Sequence, residues 1–263
     1  MRSRWRALVD MADRRGVSRE QQDMRMTQPG MKEPPVKAGR KNLRDIMKQL
    51  DAWVSRHGNG KYVAPNFVPP LDDFRLADDA GIQQDREEIK AFISLLLKRE
   101  RLPSVLEVGL GNYGSTHFLW RLLFDRVITI EKSHERVRTF GSNLRAFYRQ
   151  WVLDDPRSSF LIGSSHDPDT VGKAYQCTPG GVDLLFLDGD HRYTSVLTDW
   201  LLYSPLVRPG GLVAFHDVAA TIDGYYGVPQ FVERLAQGHI DGQAHRMTTI
   251  IKTKSMGLAF YEK

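Results

Sequence analysis

The chain has 263 residues, 41% hydrophobic and 26% charged, with a net charge of +5. That is material for one full-sized domain plus an extension. A single cysteine, Cys177, excludes an intramolecular disulfide, and no apolar run approaches the ~18 residues of a membrane span, so a cytoplasmic setting is expected.

The positive charge is concentrated early. Residues 1–61 hold fifteen basic and seven acidic side chains, a balance of +8, and the remainder stands at −3. A basic arm can bind nucleic acid, but here Lys and Arg are scattered and no aromatics interleave with them. A solvated helical face is the simpler expectation, and a nucleic-acid partner is disfavoured. Residues 1–23 read as a helix without the apolar core of a secretory signal. TQPGMKEPPVKAG is a linker by its Pro and Gly content. In 41–56, Leu43, Ile46, Met47, Leu50 and Trp53 recur at three- and four-residue spacing and form one apolar stripe of a second helix. Residues 57–80, with Pro65, Pro69 and Pro70, should be irregular. The expected boundary puts an N-terminal extension at 1–80, a lid or a homo-oligomerisation arm, and the main domain at 81–263.

From residue 82 the pattern alternates. EEIKAFISLLLKRE is an amphipathic helix, VLEVG (105–109) a strand, STHFLWRLL a helix and RVITIE (126–131) a strand. A long helix is expected over 134–151, a strand at 159–164 and a short helix near 168–176. VDLLFLD (182–188), YTSVLTDWLLYSPLV, GLVAFHD (211–217) and VPQFVERLAQ continue as strand, helix, strand, helix. MTTIIKT and GLAFYEK close the chain as two strands joined tightly. The expectation is an α/β fold: a doubly wound, mostly parallel seven-stranded sheet with an antiparallel C-terminal hairpin.

In such sheets ligands bind beyond the carboxyl ends of the strands. The first strand delivers Gly109, Gly111, Asn112 and Gly114 in a GxGxxG loop. Glu131 follows Gly111 by 20 residues at the end of the next strand, where a carboxylate can accept both hydroxyls of a ribose. The third strand ends in Ser164-Ser165-His166-Asp167. The fourth ends in Asp188, Asp190 and His191, and the fifth in His216-Asp217. An adenosine-containing ligand is indicated. Glu107, two residues before Gly109, would repel a pyrophosphate but could meet the amino end of a methionine moiety, which favours S-adenosylmethionine over NAD.

VLEVGLGNYGS, VITIE, LLFLDGDHRY and RPGGLVAFHD resemble the class I S-adenosylmethionine-dependent methyltransferases. More narrowly they are similar to the group of macrolide-sugar O-methyltransferases and cephalosporin-hydroxylase-like proteins, over roughly residues 82–263. The resemblance implies that Glu107, Gly109, Gly111 and Asn112 hold the methionine end of the cofactor, Glu131 its ribose, and Ser164 and Ser165 the adenine. Ser164 stands where relatives often carry Asp. Asp190 either caps the following helix or contacts the cofactor, and Asp188 borders it too. The resemblance further implies that Asp188, His216 and Asp217 bind a divalent cation, Mg²⁺ or Mn²⁺. His216 stands where an acid is common, and imidazole favours the softer ion. His191, three residues after Asp188, is implied as the general base, with Asp188 beside it. The expected reaction is methyl transfer to a hydroxyl of a small-molecule acceptor. A nucleic-acid methyltransferase using the basic arm, and a non-methylating accessory or binding protein on the same fold, are the alternatives.

Overall fold

Strands form where the apolar runs place them. The structure is a computed structural model and describes residues 42–63, 80–111, 113–132, 155–219, 227–251 and 256–263. The helices expected at 1–23 and 134–151, Asn112, and most of the turn between the last two strands lie outside the described residues. In chain order the elements are α1 (Leu43–Val54), α2 (Arg86–Leu96), β1 (Ser104–Val108), α3 (Ser115–Leu123), β2 (Arg126–Glu131), β3 (Ser158–Ile162), α4 (Pro168–Cys177), β4 (Val182–Leu187), α5 (Tyr193–Tyr203), β5 (Val207–His216), α6 (Val228–Ala236), β6 (Thr248–Ile250) and β7 (Leu258–Glu262).

The seven strands lie in the order β3-β2-β1-β4-β5-β7-β6. β1 pairs in parallel with β2 and β4, and β5 with β4, while β7 runs antiparallel to both β5 and β6. The chain reverses its direction of travel at β1 and β4, so the crevice outside their carboxyl ends is the switch point where ligands bind. Alternation along each strand divides the core. Val105, Val127, Leu184, Phe186 and Leu212 join the layer with α1, α2 and α3. Leu106, Ile128, Leu185, Val213 and Phe215 join α5 and α6 on the other face.

Two departures from the sequence expectation have clear causes. β5 begins at Val207 rather than 211, because Val207 pairs with Val182 of β4, and Gly210 N–H donates to Lys263 O at 2.7 Å while Lys263 N–H donates to Gly211 O at 2.9 Å. Helix α5 stops at Tyr203, two residues before Pro205, which has no N–H to continue the ladder.

The part of the expected extension from Asn42 onward packs with the main domain. Asn42–Lys263 group as one unit. The stripe of α1 is the reason: Ile46, Met47, Leu50 and Val54 are buried in the same core as Phe92 and Trp120. Asn42 caps this helix by accepting the Asp45 N–H. Trp53 stacks on Phe118 at 4.3 Å and donates its Nε1–H to Ser115 Oγ at 3.0 Å. The segment that follows α1 is thereby carried to the carboxyl edge of the sheet.

Candidate active site

At that edge lies a cavity of about 950 Å³, lined from β1, β2, β4, β5 and the segment just before α2. Its floor is the glycine loop. Gly109 has φ +95°, and a Cβ there would lie 2.0 Å from Asp188 O, so the two strand ends meet only over glycine. Gly114 takes the left-handed conformation as N-cap of α3, with no side-chain cap on the helix. Glu131 closes one end. It is buried and accepts the Leu110 N–H at 3.0 Å, which fixes the loop to β2. Ser164 and Ser165 line the adjoining wall. Beside them His166 pairs with buried Asp199 at 3.2 Å, and that hydrogen bond raises the imidazole above its ordinary pKa.

Glu107 does not line the cavity. It is fully buried on the helix side of β1, accepting from Trp120 Nε1 at 2.9 Å and from the Thr129 hydroxyl at 2.6 Å. Burial pushes its pKa up to about 8, against the hydrogen bonds of Thr116, Thr129 and Trp120. Thr116 does line the cavity. The acid expected at the methionine end therefore stands one layer behind it.

The neighbouring ends of β4 and β5 bring the other expected groups together. Asp188 Oδ1 lies 3.1 Å from His216 Nδ1, and Asp217 Oδ2 lies 3.3 Å from the same atom. Asp217 Oδ2 is also 2.9 Å from His191 Nε2. Burial disfavours charge on His216, but the carboxylates of Asp217 and Asp188 outweigh it and hold the imidazole well above its ordinary range. His191 shows the same balance, burial against Asp217, with a net rise. For Asp217 burial is outweighed by His216 and His191, and the carboxyl is held far below the usual range. Asp217 has φ +62°, the one positive φ outside glycine among the described residues. That strain is tolerated by a short polar side chain and aims the carboxylate back between the two rings. His216 Nε2 is buried without a hydrogen-bond partner.

Ligand atoms of Asp188, His191 and Asp217 all lie within 4.8 Å of one another. Two carboxylates and an imidazole fit a divalent cation. His216, expected as a third ligand, spends its Nδ1 on the two acids. Asp190 points along the helix start: it accepts the Arg192 N–H at 3.1 Å and pairs with the Arg192 guanidinium, which lowers its pKa to about 2. Asp190 also lines the cavity, and the N-cap position of α5 is Arg192, with no side-chain cap.

Gln83 and Gln84 were not legible as site residues. They lie in the segment Ala80–Gln84, which lines the cavity, and Gln83 Oε1 lies 3.2 Å from where a Cβ on Gly111 would stand. Gln84 is 1% exposed and donates Nε2–H to Asp188 Oδ2 at 2.9 Å. Their signal in the sequence, GIQQD, is a polar stretch with no periodicity.

Residues 91–218 match the family model described as a methyltransferase domain. The sheet order and the glycine loop are those of the Rossmann-like methyltransferase fold, and this stretch of the chain is similar to a methyltransferase domain. Among solved structures, an SAH-bound methyltransferase from Podospora anserina shares the fold at 14% identity, covering 83% of this chain and 87% of that one, with a TM-score of 0.51. An O-methyltransferase from Bacillus cereus in complex with SAH is 19% identical over 84% of this chain and 90% of that one, with a TM-score of 0.48. The MycE methyltransferase of the mycinamycin pathway, solved with Mg, SAH and mycinamycin VI, is 16% identical over 84% of this chain and 54% of that one, with a TM-score of 0.45. An uncharacterized protein of Acanthamoeba polyphaga mimivirus is 49% identical over 39 residues, and this chain spans only 18% of that curated relative's length. No helix among the described residues is long and apolar enough to cross a membrane.

Proposed function

We propose that the protein transfers the methyl group of S-adenosylmethionine to a hydroxyl of a small-molecule acceptor, with His191 as the base. The observation that carries this reading is the juxtaposition of a glycine-floored cofactor cradle with the His191–Asp217 pair at the next strand ends. The cradle fits the cofactor: glycine at 109 lets the ends of β1 and β4 meet closely beneath it, and Glu131 stands where ribose hydroxyls are accepted. His191 sits at the cavity wall with its Nε2 2.9 Å from Asp217 Oδ2, a carboxylate that stabilises the imidazolium formed when the ring receives the hydroxyl proton. The acceptor oxygen attacks the methyl carbon as the C–S bond breaks, and the electron pair leaves with sulfur. Positioning of the two reactants supplies much of the acceleration of such an in-line displacement.

Asp188, His191 and Asp217 would hold a divalent cation, and such an ion would lower the pKa of a hydroxyl bound to it. One ring nitrogen of His191 cannot serve as ligand and base together, and chelation separates the two roles.

The test is incubation with methyl-labelled S-adenosylmethionine and a panel of hydroxylated metabolites, with EDTA or with added Mg²⁺ or Mn²⁺. Transfer to a hydroxyl that falls at least 100-fold in His191→Ala, while SAH affinity holds within twofold, is expected. Tight SAH binding with no transfer to any hydroxyl, or a His191→Ala enzyme of full activity, overturns the reading.

A further inference from the structure

We infer that Glu88, a buried acid of α2 outside the cavity, is a positioning residue for the His191–Asp217 pair, acting on Asp217 through Gly257. The inference rests on the methyl-transfer reading and deepens it.

Glu88 is 1% exposed and does not line the cavity. A carboxyl group in such a place is costly unless its oxygens are used. Here Oε2 accepts the Gly257 N–H at 3.2 Å, across 169 positions of sequence. Gly257 stands one residue before β7, and the residue before it, Met256, lines the cavity. The hydrogen bond therefore ties the start of β7 to α2 on the edge of the site.

The start of β7 in turn holds the chain that leaves β5. His216 is the last residue of β5 and pairs with Leu258. Beyond it, Val218 N–H donates to Gly257 O at 3.4 Å and Ala219 N–H to Met256 O at 2.7 Å. Asp217 stands between these two attachments with φ +62°. A strained backbone of this kind persists only where its surroundings over-determine it. The packing is close as well. A Cβ on Gly257 would lie 3.0 Å from Val218 Cγ2 and 3.2 Å from Ala219 Cβ, so a shift of Gly257 moves the residues next to Asp217. The route from Glu88 to the site is thus two hydrogen-bonded steps, Glu88 to Gly257 and Gly257 to Val218. Asp217 is the group it orients, 2.9 Å from His191 Nε2. The nucleoside end of the cavity, at Glu131 and the two serines, lies at the opposite side of the sheet from β7 and is not on this route.

The experiment compares three variants of the full chain, Glu88→Gln, Glu88→Asp and Glu88→Ala. Each is assayed for methyl transfer from labelled S-adenosylmethionine to the hydroxylated acceptor at saturation, and for SAH binding by calorimetry. Gln keeps an oxygen that can accept the Gly257 N–H, Asp keeps the charge but falls one methylene short, and Ala removes the group. Glu88→Asp and Glu88→Ala should lower turnover by about tenfold or more while SAH affinity stays within about twofold, and Glu88→Gln should keep turnover within about threefold of wild type. A purely structural role would instead lower the melting temperature and leave the turnover of the folded fraction unchanged. That result, a Gln variant as slow as the Ala variant, or SAH affinity falling in step with turnover overturns the inference. Should Glu88→Ala fail to fold, Glu88→Asp decides. A wild type that methylates no hydroxyl overturns the methyl-transfer reading and the role of Glu88 with it, whereas transfer that no Glu88 variant slows overturns the role alone.

Discussion

Glu107 shows how far one side chain can stand from the role its position suggests. The strand pattern contains the clue: Glu107 shares a face with Val105, and that face lies under α3. Period-two alternation was readable, but which helix covers which face was not, because strand order is a tertiary property. In the fold the acid is buried with its pKa up to about 8. Its proton therefore stays on in the folded state between the ordinary value of 4.5 and about 8, whereas the unfolded chain releases it. The folded state binds more protons across that window, so the stabilisation is full below 4.5 and is lost as pH rises towards 8, by at most about 1.4 kcal/mol per pH unit. Gln is nearly isosteric, can accept from Trp120, can donate to Thr129, and has no proton to lose. Glu107→Gln should thus gain stability relative to wild type as pH rises from 5 to 8.5. Denaturant unfolding of both proteins across that range reads the difference directly. Parallel stability curves would show that Glu107 is charged in the fold.

At the scale of elements, the strands and the helices between them were legible because their apolar runs end sharply in glycine or charge. VLEVG, RVITIE and VDLLFLD each stop where the sheet stops, and the polar residues that follow all reach the cavity edge. The stripe of α1 was equally legible as a helix, yet nothing in the sequence said what it packs against. The segment Ala80–Asp85 was the least legible element and is central to the site. Its shape depends on Gly81, whose lack of a side chain is a contact with α1 rather than a turn requirement. A Cβ there would meet two backbone oxygens, Val54 O at 2.5 Å and His57 O at 2.7 Å, neither of which can swing away. Gly81→Ala should push the segment outwards from the cavity it lines, cost about 1–3 kcal/mol of stability, and reduce SAH affinity. Thermal melts and calorimetry on the same sample check both effects. Unchanged melting with full SAH affinity would mean that the segment can shift at no cost.

For the molecule as a whole, the question is where the folding unit begins. Composition and proline content suggested residue 81, since the charge balance and the pattern both change near it. Packing joins the α1 side chains to the same core as α2 and α3. A chain starting at 81 would lose the buried side chains of Ile46, Met47, Leu50 and Val54, and would expose the faces of α2 and α3 that they cover. Each such side chain contributes about 1.5–3 kcal/mol on burial, so their combined loss is on the order of the whole net stability of about 5–15 kcal/mol. The same cut removes the anchors of Gly81, Lys61 O and the end of α1, and leaves the edge of the cavity unsupported. Two shortened chains separate the possibilities, one beginning at Asn42 and one at Gly81. The first should unfold cooperatively in denaturant and bind SAH within twofold of the full chain. The second should lack a cooperative transition, expose apolar surface to a hydrophobic dye, and bind no SAH. A Gly81–Lys263 chain with a sharp transition and intact SAH binding would mean that α1 is an attachment to the methyltransferase fold and not part of its core.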